Sequence, residues 1–77
     1  MDIENEIKKV FFDVFPNLTD KNYGLDIEQN DYLNWDSFAH LELMTGAESK
    51  FQIKISPEDS LSIKTARDLL ELVKSRI

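Results

Sequence analysis

A serine beside an acid stands where a polar stretch gives way to an apolar-patterned one, in Asn34-Trp35-Asp36-Ser37-Phe38-Ala39-His40-Leu41-Glu42-Leu43-Met44. Asp36 is a strong N-cap residue, and Ser37 fits either the cap or the first helical position, so the local sequence specifies a helix start there. A hydroxyl in that place is exposed, rigidly presented and close to the positive end of a helix dipole. It is well placed to be modified or gripped by another protein. Capping alone is the competing use of Ser37. His40 follows three residues later and raises a second chemistry, a Ser–His nucleophile pair. No third group orients the ring and no pocket excludes water, so packing on the preceding loop beside Trp35 is the better expectation for it. Contact with an attached group or a partner is the other use open to it.

The elements that position this serine follow from spacing. Ile3, Ile7, Val10, Phe11, Val14 and Phe15 recur at helical intervals, and Pro16 cannot continue the ladder, which predicts a first helix over about residues 3 to 15. From Pro16 to Asp36 no period is sustained, while Asn17, Asp20, Asn22, Gly24, Asn30 and Asn34 supply turn chemistry. Loops of that length in small domains often carry function. Tyr23, Leu25, Ile27, Tyr32, Leu33 and Trp35 lie within it, and several are expected to tuck back onto the helices.

A second helix is expected from about Ser37 to Phe51, with Phe38, Leu41, Met44, Ala47 and Phe51 facing the core. Glu42, Gly46, Ser49 and Lys50 fall on the opposite face, where Gly46 costs about 1 kcal/mol relative to alanine. Gln52-Ile53-Lys54-Ile55 reads as an extended link with inward isoleucines. Ser56-Pro57-Glu58-Asp59 is a helix-start signal for a short third helix ending near Leu61. A final helix begins near Thr65, with Ala66, Leu69, Leu70, Val73 and Ile77 on one face and Lys74 and Arg76 at its negative end. The expected fold is all-α, a single domain over residues 1–77: a small bundle of three main helices and one short one, with a long loop between the first two.

A chain of 77 residues buries only about 60% of its unfolded surface, leaving little room for an enclosed active site. Without cysteine there is no disulfide or thiolate metal site, and the single histidine offers no ligand cluster. Asp26, Glu28 and Asn30 have calcium-loop spacing, but Asp31 replaces the required glycine and Ser37 stands where the bidentate glutamate belongs. No metal is expected. A net charge of −6 argues against nucleic acid and toward basic protein surfaces. No apolar run reaches the roughly 18 residues of a membrane span, and the acidic start Met1-Asp2-Ile3-Glu4 is unlike a signal peptide. A cytoplasmic monomer is expected. Asn17-Leu18-Thr19 fits a glycosylation triplet, which matters only in a secreted protein.

Asp36-Ser37-Phe38, followed by Leu41-Glu42-Leu43, Glu48, Phe51, Ile53 and Ile55, resembles the acyl carrier protein family, whose signature is Asp-Ser-Leu at the start of the second helix. The resemblance continues through Ser56-Pro57-Glu58-Asp59 to Ile63, Thr65 and Ala66 and covers nearly the whole chain. It implies that Ser37 carries a 4′-phosphopantetheine arm, transferred from coenzyme A by a phosphopantetheinyl transferase, and that Asp36 serves that reaction beside its capping role. The arm's thiol would supply the sulfur this chain lacks and hold an acyl or aminoacyl group as a thioester. The carrier itself would catalyse nothing. Its partners would then be the transferase and the loading and acyl-transfer enzymes of a specialised biosynthetic pathway, since Trp-Asp-Ser followed by His is similar to carriers of that kind. An acyl cargo could withdraw into the bundle, whereas an aminoacyl cargo would stay outside.

The family also implies partner recognition on the exposed, acid-rich face of the second helix. Phe38, Ala39, Glu42 and Glu48 are the corresponding positions; Ala39 stands where an acid is common, and Lys50 reverses the sign. Phe38 replaces the usual leucine and is expected to bury the helix start against the loop, for about 1.5–3 kcal/mol. Asn34 takes the place of a usual glycine, and the loop is slightly short. The rival reading, from another class, is an unmodified carrier-fold module that docks through its acidic face.

Overall fold

In the computed structural model, which describes residues 2–32 and 34–77, each main helix starts where a side-chain oxygen can satisfy an otherwise orphaned backbone N–H. Asp2 accepts from Asn5 and opens α1, Ile3–Val14. Asp36 opens α2, Ser37–Phe51. Ser56 and Asp59 cap each other reciprocally in front of α3, Pro57–Leu61. Thr65 accepts from Asp68 and opens α4, Ala66–Arg76. A single 3-10 turn, Gln29–Asp31, interrupts the loop between α1 and α2, and no strand occurs among the described residues. The expected all-α architecture of three main helices and one short helix is the one observed.

The core forms where α1 packs against α2 and α4. Phe11, Ile7, Leu43, Leu69 and Val73 are its fully buried large side chains. The loop closes it from the α1 end: Tyr32 and Trp35 are buried, and Tyr23, Leu25 and Ile27 are partly buried against the same cluster. Leu33, also expected to tuck back, lies outside the described residues. The loop is tied down at its far side by α4, because Arg67 pairs with both carboxylate oxygens of Asp26, at 2.6 and 3.1 Å, and donates its backbone N–H to Leu25. Gln29 adds a backbone bond to the Lys64 carbonyl at 2.8 Å. Ile53 and Ile55 of the α2–α3 link are half-buried against the core, as expected of inward isoleucines.

The expected buried face of α2 is corrected. Ala39, Leu43, Met44, Ala47 and Phe51 are buried, whereas Phe38 is 70% exposed and Leu41 63% exposed. Steps of three residues fall about 60° short of a full turn, so Phe38, Leu41, Met44 and Ala47 wind half-way round the helix instead of lining one face. The buried set alternates steps of four, one, three and four and stays on one side. The same geometry corrects Gly46, which is half-buried against α1: a Cβ there would meet Val10 Cγ1 at 3.2 Å, so the glycine permits close approach of two helices. Lys50 is half-buried beside Glu6 of α1 at 3.5 Å and does not belong to a free outer face. Ile77, expected on the core face of the last helix, is 61% exposed; it lies one residue past the end of α4. No helix among the described residues is long and apolar enough to cross a membrane.

Candidate functional site

Ser37 is the first residue of α2 and is exposed, with Asp36 immediately before it in extended backbone conformation. The cap is made by Asp36 alone: its Oδ1 accepts the Ala39 N–H at 2.8 Å, and its backbone carbonyl accepts the His40 N–H at 2.9 Å. Ser37 is therefore not the capping residue. Its hydroxyl sits beside the helix N-terminus, where backbone N–H groups and the dipole favour an anionic substituent.

The approach to Asp36 is built from aromatic packing. Trp35 is buried and meets Phe11 edge to face, with centroids 5.4 Å apart, and Tyr32 at 5.0 Å. Its carbonyl accepts from the Gln29 side chain at 3.4 Å, and the Asn34 carbonyl accepts the Asp36 N–H at 3.0 Å. With the residue before Asp36 held in the core, Ser37 projects from a fixed base.

His40 is packed beside Trp35, as expected, with its ring stacked on the indole. The indole N–H donates to Nδ1 at 3.0 Å, and Nε2 lies 2.8 Å from the Ser60 carbonyl. Indole can only donate and a carbonyl can only accept, so both contacts are satisfied by the neutral ring carrying its proton on Nε2. Neither nitrogen is left to take a proton from Ser37, and the Ser–His pair is not formed. The ring instead joins the end of the loop, the first turn of α2 and α3. Spacing gave no signal for the Ser60 contact, since the partner lies twenty residues away.

The remaining residues assigned to partner recognition separate. Glu42 is exposed on α2. Glu48 is half-buried, and its Oε2 accepts the Ile55 N–H at 2.8 Å, which holds the link to α3. Ala39 is only 8% exposed and belongs to the core; its place on a recognition surface is corrected, because it lies about 100° round the helix from Phe38. Phe38 is at the surface and does not bury the helix start against the loop. Leu61, the last residue of α3, is 76% exposed and was not singled out by sequence; a helix of five residues is too short to show a phase.

On the other side of the loop, an open cavity of about 600 Å³ lies at the end of α1, lined by Val14, Phe15, Leu18, Ile27, Tyr32 and Asn34 among others. Ser37 is not among its lining residues. The hydroxyls of Tyr23 and Tyr32 are buried without a hydrogen-bond partner. Burial pushes the Tyr23 phenol up to about 12, with the neighbouring Tyr32 adding to the effect, and it raises Tyr32 as well. No family model matches the chain, and no curated protein matches it.

Proposed function

We propose that this protein is a carrier that holds acyl or aminoacyl groups on a 4′-phosphopantetheine arm attached to Ser37. The observation that carries the reading is the division of labour at the start of α2: Asp36 caps the helix and leaves the adjacent Ser37 hydroxyl exposed and out of the cap. In the attachment step the Ser37 oxygen attacks the β-phosphorus of coenzyme A. A serine phosphodiester forms, the bond to the adenosine-bearing phosphate breaks, 3′,5′-ADP departs and the serine proton passes to a base on the transferase. The helix N-terminus stabilises the phosphodiester charge, and Asp36 positions the serine while serving the transferase's metal-bound substrate.

The group so attached supplies a thiol on which cargo rides as a thioester, chemistry that a chain without cysteine cannot provide itself. The resemblance of Asp36-Ser37-Phe38 and its downstream residues to acyl carrier proteins supports this reading, as do the four helices and the long loop. The carrier acts in the cytoplasm with loading and acyl-transfer enzymes of a specialised biosynthetic pathway, and performs no catalysis of its own.

Intact mass measured after incubation with coenzyme A and a broad-specificity phosphopantetheinyl transferase tests the assignment. The wild type is expected to gain one arm and Ser37→Ala none, with both melting alike. Gain by Ser37→Ala, or none by the wild type with several transferases, overturns it; the latter result favours an unmodified docking module.

A further inference from the structure

The ring of His40 is half-buried and engaged at both nitrogens: Nδ1 accepts the Trp35 indole N–H at 3.0 Å, and Nε2 donates to the Ser60 carbonyl at 2.8 Å. The two bonds answer a proton differently. Nε2 carries its hydrogen in the neutral and the charged ring alike, so the bond to Ser60 is kept. A proton on Nδ1 turns the ring's one acceptor into a donor, set against an indole N–H that can only donate. The bond to Trp35 cannot survive that change. Trp35 is held by Phe11, Phe15 and Tyr32, with centroids 5.4, 6.1 and 5.0 Å away, so the side that yields is the first turn of α2. Asp36 and Ser37 lie in the chain between the two partners.

The charges on the surrounding elements do not offset this. On the loop, Asp31 is exposed and Asp36 is engaged by the Ala39 N–H. On α2, Glu42 is exposed; on α3, Glu58 is exposed and Asp59 is paired with Arg76 of α4 at 2.6 Å. From α1 the joint meets Phe11 and Phe15, which carry no charge. Among the described residues no carboxylate forms an ion pair with the ring.

We infer that this joint is an acid-opened clasp on the serine-bearing turn: protonation of His40 at Nδ1 parts it from Trp35, leaves it on Ser60, and loosens Asp36 and Ser37. Histidine changes charge between about pH 5 and 8, so the clasp is closed at the upper end of that range and opens toward the lower. Ser37 is displayed rigidly in the closed state and loosely in the open one. The device is independent of the carrier reading, since it needs nothing attached to Ser37.

The test is an NMR titration of the nitrogen-15-labelled full chain from about pH 8 to 5. The Trp35 indole N–H resonance is expected to shift with the same midpoint as His40 Nδ1, and its exchange with water to quicken by about tenfold as the bond is lost. The Ser37 backbone amide should follow, Nε2 should keep its proton, and the amides of Leu43 and Leu69 in the core should hold their positions. His40→Gln, whose side-chain amide offers an acceptor and a donor at every pH, should leave the indole resonance flat. Should that variant not fold, coincidence of the indole and Nδ1 midpoints in the wild type still decides. An indole resonance unmoved while His40 titrates, an equal shift in His40→Gln, or a proton found on Nδ1 at pH 8 overturns the clasp. So does a Ser37 amide that ignores the titration, or core amides that move together with the indole, the mark of acid unfolding.

Discussion

Upstream of Ser37, Tyr32 and Trp35 are buried against Phe11 and Phe15; downstream, Phe38 and Leu41 face water although they are just as apolar. The upstream pair reaches the core because the loop bends back across the end of α1 and is anchored on its far side by the Gln29–Lys64 backbone bond and the Asp26–Arg67 pair. The downstream pair is carried by a helix whose phase is set by Leu43, Met44, Ala47 and Phe51, which turns Phe38 and Leu41 away from the core. Whether an apolar residue contributes to stability is decided here by what faces it. The residues that hold the site in place and those that surround it at the surface are therefore separable by substitution.

The sharpest contrast should come from removing one aromatic ring on each side. Phe11→Ala is expected to cost about 3–5 kcal/mol in urea unfolding, as deleting a fully buried ring does. A chain of this length has a total stability of roughly 4–12 kcal/mol, so that one substitution removes about a quarter of it or more. Phe38→Ala should stay within about 0.5 kcal/mol of the wild type. Similar losses for the two would erase the distinction.

Next in size is the joint between the two sides. His40→Ala strands the Trp35 indole N–H and the Ser60 carbonyl, and about 1–3 kcal/mol should be lost in the same assay. A cost near zero would mean that the loop and α3 hold the first turn of α2 without the ring.

The smallest effect at neutral pH concerns Tyr23, whose hydroxyl is buried without a partner. Tyr23→Phe should leave stability unchanged or raise it by up to about 1 kcal/mol. Its folded-state value, pushed up to about 12 by burial against an ordinary 10, gives the variant a clearer signature in alkali. The folded state retains the proton where the unfolded chain releases it, so stability is full below pH 10 and is lost as pH rises from about 10 toward 12. The melting temperature of the wild type should fall through that window, and that of Tyr23→Phe should fall less. Parallel curves would show that the hydroxyl is reached by water.

Much of the fold was legible because helix starts are written locally. Asp36, Ser56 with Pro57, and Thr65 each opened a helix where side-chain chemistry placed it, and Pro16 marked the end of α1. The face of α2 was misread because apolar residues occur all round its first two turns, so that steps of three could pass for a stripe. Gly46 was placed outside for the same reason. At the site, Ser37, Asp36 and the Trp35–His40 pairing were recoverable from residues at most five apart. The Ser60 contact, the Asp26–Arg67 pair and the position of Leu61 depend on how α3 and α4 return to the loop, which no local pattern encodes.

Trp35 has one more consequence. It is the only indole in the chain, and it stacks on His40 two positions before Ser37. The molecule thus contains its own fluorophore next to the residue of interest, with no second emitter of that kind to confuse the signal. Anything that loosens the turn before Ser37, whether a substituent or a visiting enzyme, alters the surroundings of that one ring and becomes readable as emission, in real time and without a label.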